Sequence, residues 1–112
     1  MKTELTKEQS QHLIDLGVPK EKASEFEPFD KQDDGVFIFT LTDLLKILPK
    51  EIKTEDNIYR QTMLWGGFSY FVGYRIHDTD RWLFQICLTK ELIDALYELT
   101  IWCIENGYLK FD

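Results

Sequence analysis

Three segments in the second half of the chain have apolar residues on alternate positions, and this pattern constrains the fold more than any other feature. The segments are residues 58–65, 68–76 and 82–88. A period of two is typical of strands that bury one face against a core. The pattern therefore predicts three strands joined by two hairpins, an antiparallel meander.

The connecting residues predict how these strands pair. Gly66-Gly67 suits a two-residue turn, which makes paired residue numbers sum to 133 and places Met63 opposite Tyr70. In the second hairpin, apolar faces match when paired numbers sum to 158, and a three-residue loop from Asp78 to Asp80 produces that register.

This register separates the side chains into two faces. The chain has three arginines, Arg60, Arg75 and Arg81, and all three are predicted on the face opposite the core, around a central Phe71. Leu83, Gln85 and Cys87 are predicted beside them. The core face is predicted to hold these apolar residues: Tyr59, Met63, Trp65, Phe68, Tyr70, Val72, Tyr74, Ile76, Trp82, Phe84, Ile86 and Leu88.

Two interpretations of the arginine side remain open. Arginine forks on an open sheet bind carboxylates, phosphates or bases. Alternatively, the acid-rich amino-terminal helices cover this side and pair with the arginines. The second interpretation is favoured because Phe71, Leu64 and Leu83 would otherwise be exposed.

A long helix is predicted over Lys90–Asn106, with Thr89 as its cap and Gly107 as its stop. Apolar residues recur along it at helical spacing and are expected to cover the sheet. Trp102 falls at the edge of its polar stripe. With Tyr108 and Phe111, Trp102 is therefore a candidate interface.

The amino-terminal half predicts short helices. Thr6 and Gln9 have the spacing of a capping box, Gly17 ends that first helix, and Pro19 opens a second short helix that runs through Ala23 and Phe26. Residues 27–35 are predicted to form an acidic loop.

Between this loop and the meander, Val36–Phe39 predicts a short strand. Thr40 or Thr42 is predicted to cap a helix over Asp43–Leu48, and residues 50–57 are expected to form a polar connection. The prediction is one α+β domain over residues 1–112: amino-terminal short helices, a three-stranded meander with a possible fourth short strand, and a carboxy-terminal helix packed on the sheet.

Charge and composition exclude several classes of protein. Twenty acidic and 13 basic residues give a net charge of −7, which disfavours general nucleic-acid binding. The charge is uneven: −5 over residues 1–56, +1 over residues 57–89 and −3 over residues 90–112. Since no apolar run is long enough to span a membrane and the amino end lacks a signal-peptide core, a cytoplasmic protein without membrane attachment is expected.

No motif for catalysis is found, so an enzyme, a cofactor and a metal are not expected. Cys87 and Cys103 are too far apart for a zinc or redox pair and are expected to be buried or half-buried thiols. The segment from Asp30 to Gly35 begins like a calcium loop but has Leu41 where a bidentate glutamate is needed. His77, Asp78 and Asp80 gather in one turn, and Asp is also an ordinary turn residue.

Three segments carry a resemblance to a known group. They are LTKEQSQHLIDLGVPKEKAS, FTLTDLLKILPKEI and ELIDALYELTIWCIENGYLK, which together cover about half of the chain. They resemble small uncharacterised proteins encoded by phages and mobile elements of gut bacteria. The resemblance implies an intracellular accessory protein and brings no catalytic residue with it.

Three functional hypotheses follow. The first is an interaction protein without catalysis that binds a protein partner or itself. The second is an acidic inhibitor or nucleic-acid mimic that binds a basic partner through Glu21, Glu25, Glu27, Asp30, Asp33 and Asp34. The third is a metal- or anion-binding enzyme centred on the turn from His77 to Asp80, with Arg75 or Arg81 holding an anion.

Overall fold

The structure, a computed structural model, describes residues 2–28, 35–65, 70–77, 79–88 and 91–111, without the side chains of Trp65, Tyr70 and Leu88. Its helices are α1 (Lys7–Asp15), a 3-10 turn (Lys20–Lys22), α2 (Leu41–Ile47) and α3 (Leu92–Glu105). Its strands are β1 (Glu25–Pro28), β2 (Gly35–Ile38), β3 (Glu51–Lys53), β4 (Ile58–Trp65), β5 (Tyr70–Arg75) and β6 (Trp82–Leu88). The α+β class and the carboxy-terminal helix are confirmed.

Helix ends follow the local sequence closely. The predicted capping box of α1 is present, because Thr6 accepts from the Gln9 backbone and Gln9 reaches back to Thr6. Thr40 caps α2 in the same way with Asp43. Gly17 and Gly107 have φ of 108° and 78°, the left-handed region that a helix stop uses.

The predicted second helix is wrong. Only Lys20–Lys22 make a 3-10 turn, after which Ala23 is extended and Phe26 lies on strand β1. Strand β1 pairs with β2, and the rings of Phe26 and Phe37 pack with their centroids 5.1 Å apart. This pairing with the next strand along the chain outweighs the weak local strand preference of Glu25–Pro28.

The main sheet has four antiparallel strands in the order β3-β4-β5-β6. Strand β3 lies inside the segment that was expected to be a polar connection. Its middle residue, Ile52, is 3% exposed, whereas Glu51 and Lys53 on either side are exposed. One buried apolar residue was too weak a signal to predict this strand.

The β4–β5 register differs from the prediction by two residues. Arg60 pairs with Arg75 and Leu64 with Phe71, so paired numbers sum to 135 instead of 133. The predicted Gly66-Gly67 turn lies outside the described residues. Because the shift is even, the described side chains of β4 and β5 stay on their predicted faces.

The β5–β6 register is as predicted from Tyr70 to Tyr74 and then shifts by one at a bulge, so that Arg75 pairs with Trp82. An odd shift moves side chains to the other face. Trp82 therefore lies on the same face as Arg75, although it was predicted on the core face. Leu83, predicted on the arginine side, packs against the core.

Helix α3 packs on the other face of the sheet. Trp102 stacks on Phe84 with centroids 4.5 Å apart and planes 5° apart, and Val72 and Tyr74 beneath the helix are fully buried. The helix begins at Leu92 with Glu91 as its N-cap, whereas the predicted cap Thr89 lies outside the described residues. Met63, predicted in the core, is 48% exposed because the helix does not reach it.

The amino-terminal half packs on the same side of the sheet as α3 and adds buried side chains to the core. Tyr97 on this helix hydrogen-bonds His12 of α1 at 2.6 Å, and Asp94 accepts from Gln9. A single cluster of buried side chains joins α1, α2, α3 and the sheet. None of the described helices is long and apolar enough to cross a membrane.

Candidate functional site: the open face of the sheet

Arg60 and Arg75 are direct partners across β4 and β5, so they project from the same side of the sheet. Tyr74, which directly precedes Arg75 on β5, and Val72 are fully buried in the core. Because successive side chains of a strand point to opposite faces, Arg75 and its partner Arg60 lie on the side away from the core. We define the open face as the residues on this side of the three longest strands: Ile58, Arg60, Thr62, Leu64, Phe71, Gly73, Arg75, Trp82, Gln85 and Cys87.

Solvent reaches the open face. Ile58 is 50% exposed and Leu64 36% exposed, and Gln85 and Cys87 are exposed as well. The amino-terminal helices, which were expected to cover this side, pack with α3 on the other side instead. Of the two interpretations, the covered face is therefore wrong.

Arg75 is held firmly at one end of the open face. Its Nη1 donates to the carbonyl oxygen of Thr79 at 3.0 Å, and its guanidinium carbon lies 5.8 Å from the centre of the Trp82 ring. The Nε atom of Arg75 is buried and has no hydrogen-bond partner within the described part of the chain. The bulge makes this cation–π contact possible, because it brings Trp82 opposite Arg75.

Arg60 is the freer of the two arginines. It is exposed and forms no ion pair with any described residue. Glu51 lies directly across from Arg60 on β3, but its carboxylate is paired with Lys53 at 3.6 Å. The guanidinium of Arg60 is thus available to a group from outside the chain.

The other predicted members of this site are placed differently. Arg81 is exposed but lies just before β6. Of the three predicted arginines, the strands therefore bring together Arg60 and Arg75 only. Phe71 is half-buried at the centre of the face, opposite Leu64. Sequence reasoning missed Trp82, since the bulge is not visible in the pattern, and omitted Ile58, which the alternation of β4 would have included.

The turn from His77 to Asp80 is organised by Thr79. The Thr79 hydroxyl donates to the Ile76 carbonyl at 2.7 Å and accepts from the Arg81 N–H at 3.2 Å. Asp78 lies outside the described residues. No group of three or more metal-ligating side chains occurs among the residues that are described.

The acidic residues of the second hypothesis are only partly described. Glu21, Glu25 and Glu27 are exposed around the 3-10 turn and β1, and Glu27 makes an exposed ion pair with Lys7 at 3.2 Å. Asp30, Asp33 and Asp34 lie outside the described residues. A role in binding a basic partner stays a prediction.

The candidate interface at the carboxyl end is packed against the core. Trp102 is half-buried among three rings, with Tyr108 at 5.3 Å and Tyr74 at 6.4 Å in addition to Phe84. Tyr108 and Phe111 are also half-buried against the core. Packing accounts for their apolar character, and an interface role for them stays a prediction.

The two thiols are free and differ in exposure. Cys103 is fully buried, and burial raises its pKa to about 11. Burial also raises the pKa of the neighbouring Tyr74 hydroxyl, which donates to the Pro49 carbonyl at 2.7 Å. Cys87 is exposed on the open face, so the expectation of a buried or half-buried thiol is wrong for this residue.

No protein-family profile, curated protein or solved structure matches this chain. The resemblance to proteins of phages and mobile elements accordingly stays a prediction.

Proposed function

We propose that this protein is an interaction module whose open face binds a protein segment that presents carboxylate groups beside apolar side chains. The observation that carries the proposal is the direct pairing of Arg60 with Arg75 on an exposed sheet surface. Catalysis is not part of the proposed function.

Two like charges directly opposite each other destabilise a sheet by a few tenths to about 1 kcal/mol. The folded chain does not relieve this repulsion at Arg60, which lacks an ion pair within the described residues. A carboxylate bound between the two guanidinium groups would neutralise it. Arginine forks favour this ligand because their planar donors match the two carboxylate oxygens.

The apolar neighbours select the rest of the ligand. Ile58 and Leu64 lie on the same face of β4 as Arg60, and both expose a third or more of their surface. Exposed apolar groups beside fixed charges are typical of protein-binding surfaces. An extended segment with acidic and apolar residues in alternation matches this arrangement.

A polynucleotide fits less well. Its backbone would meet a molecule with a net charge of −7, and two strand arginines offer few phosphate contacts. The same net charge does not oppose a short acidic segment that contacts the open face alone, because exposed charges beyond about 8–10 Å are screened at physiological salt.

The proposal is tested with a synthetic peptide in which glutamate alternates with leucine, titrated into isotopically labelled protein and followed by NMR. We expect amide shifts confined to residues of β4 and β5 on the open face. A matched peptide with glutamine in place of glutamate should bind several-fold more weakly, and binding of the acidic peptide should weaken as salt rises.

Variants of the protein provide the control. Arg60→Ala should weaken the acidic peptide by about fivefold, the equivalent of about 1 kcal/mol. Arg81→Ala, which removes an exposed arginine outside the strands, should have little effect. The proposal fails if both peptides bind equally, if the two variants behave alike, or if an oligonucleotide binds this face more tightly than the acidic peptide.

A further inference from the structure

The two edges of the four-stranded sheet are very different. Strand β3 at one edge has three residues, two of which are the charged Glu51 and Lys53. Strand β6 at the other edge has seven residues, and none of them is charged, proline or glycine. Natural proteins protect sheet edges with short strands, charges, prolines or bulges. β3 has two of these protections, whereas β6 has a bulge at its beginning and none from Phe84 onward.

The inner side of β6 is also incompletely buried. Phe84 and Ile86 face α3 but are only half-buried, whereas Val72 and Tyr74, their direct partners on β5, are fully buried. Within the described part of the chain, no strand pairs with β6 on its outer side. A further strand at this edge would satisfy the free backbone groups and bury the two side chains.

From these observations we infer that two copies of this chain associate through β6, which pairs antiparallel with β6 of the second copy to make one continuous sheet. The strand is complementary to itself in this arrangement. With the two-fold axis at Gln85, Phe84 lies opposite Ile86 of the second copy on the side of the sheet that carries α3, and Gln85 lies opposite its counterpart on the open side. Aromatic and β-branched residues are favourable cross-strand partners, and no charge opposes a like charge.

The chain exposes 7354 Å², about 900 Å² more than the roughly 6,450 Å² expected for a compact monomer of 13.3 kDa. Pairing with a second copy along β6 would remove part of this surface from water. An antiparallel two-fold pair also places both α3 helices on the same side of the sheet, so the open faces of both copies stay accessible.

The association is tested by sedimentation equilibrium on the full chain at about 100 µM, a concentration at which even a micromolar dimer is populated. We expect twice the 13.3 kDa mass of one chain. The double variant Gln85→Lys/Cys87→Lys should weaken the dimer about tenfold or more, because lysines would then face each other along the edge. Both positions are exposed, so the fold should tolerate the change.

Leu64→Lys is the matched control. It places the same charge on the open face of the central strand β4 and should leave the dimer intact. A monomeric wild-type protein would overturn the inference. So would a dimer that Leu64→Lys dissociates and Gln85→Lys/Cys87→Lys does not, since this result would indicate face-to-face association.

Disulfide trapping tests the register directly. Directly opposed residues of an antiparallel pair have Cα atoms about 4.5–5.5 Å apart, within the range that a disulfide can bridge. In a Cys87→Ser background, Gln85→Cys should give a disulfide-linked dimer on mild oxidation, and Thr62→Cys on β4 should not. A dimer that forms without cross-linking at position 85 would show that this edge is not the contact.

The proposed function and the dimer fail separately. Arg60→Ala should weaken binding of the acidic peptide about fivefold and keep the dimer. Gln85→Lys/Cys87→Lys also alters the open face, so it is read out by the mass of the assembly alone. A wild-type protein that binds the acidic peptide as a monomer overturns the dimer only, and a wild-type dimer that binds the acidic and glutamine peptides equally overturns the proposed function only.

Discussion

The Asp43 side chain joins two segments of the chain, around Ser24 and Thr40, through three hydrogen bonds. Its Oδ2 accepts from the Ser24 N–H at 2.8 Å, the Ser24 hydroxyl at 2.9 Å and the Thr40 N–H at 2.9 Å. Burial alone would raise the pKa of this carboxyl, but the hydrogen bonds from Thr40 and Ser24 outweigh it and hold the pKa below 3.8. We expect Asp43→Asn to destabilise the protein by about 1–3 kcal/mol at pH 7.

The lowered pKa fixes the pH dependence of this effect. Above about pH 5 the carboxylate is charged in both the folded and the unfolded chain, and its full stabilisation is present. As the pH falls below 3.8, the unfolded chain takes up the proton first and the stabilisation is lost. In denaturant titrations, the difference in the free energy of unfolding between wild type and Asp43→Asn should therefore decrease at low pH. Asp56→Asn, at an exposed position, should show no comparable gap.

The two cysteines should differ sharply in reactivity. Cys103 is fully buried with a pKa of about 11, which leaves about one thiol in 10⁴ ionised at pH 7 even without the barrier of burial. We expect one thiol per native chain to react quickly with a thiol reagent, and the second to react on unfolding. Cys87→Ser should abolish the fast reaction. Two fast thiols in the native protein would contradict the buried position of Cys103.

At the scale of elements, the contact between β5 and β6 depends on Gly73. A Cβ atom at this position would collide with the backbone of Phe84 and Gln85 on β6. Gly73→Ala should therefore push the strands apart and cost about 1–3 kcal/mol, although alanine ordinarily stabilises a strand relative to glycine. Thermal unfolding checks the loss, with Thr62→Ser, directly opposite on β4, as the control that should remain near wild type.

The contact between α3 and the sheet is centred on Trp102. Because its ring packs against Phe84, Tyr74 and Tyr108, Trp102→Ala should reduce the free energy of unfolding by about 3 kcal/mol. Glu98→Ala, at an exposed position of the same helix, should change it by about 0.5 kcal/mol or less. If Trp102→Ala impairs partner binding and leaves stability unchanged, the residue belongs to an interface instead.

Elements set by capping and stop residues were predictable from sequence, and short strands without an apolar pattern of their own were not. The caps at Thr6 and Thr40 and the stop at Gly107 are set by residues within one turn, so they are confirmed. Strands β1 and β3 contain mostly polar residues and form because another strand pairs with them. Nothing in their own composition predicts a strand.

The candidate site shows the same division. Arg60 and Arg75 share a face as predicted, because an error of two in register leaves the alternation unchanged. Trp82 was misplaced because the bulge at Tyr74/Arg75 shifts the register by one. Whether the amino-terminal half covers the arginines depends on packing between distant segments, which the sequence pattern does not contain.

At the scale of the whole molecule, stability should be uneven because β1 is held to the rest by few buried groups. All four β1 residues are exposed, Phe26 is 46% exposed, and the Lys7–Glu27 ion pair is open to solvent on both sides. Exposed ion pairs contribute little. In contrast, the middle of β5 and the inner side of α3 are fully buried. We expect β1 to open locally at a free energy well below that of global unfolding.

Native-state hydrogen exchange measures this difference residue by residue. Amides of β1 should exchange fastest among the strands, and those of β5 and α3 should exchange only by global unfolding. Phe26→Ala should accelerate exchange in β1 and β2 while it lowers global stability by about 1 kcal/mol or less, because half of this ring is already in water. Equal protection of β1 and β5 would mean that the small sheet and the four-stranded sheet unfold as one cooperative unit.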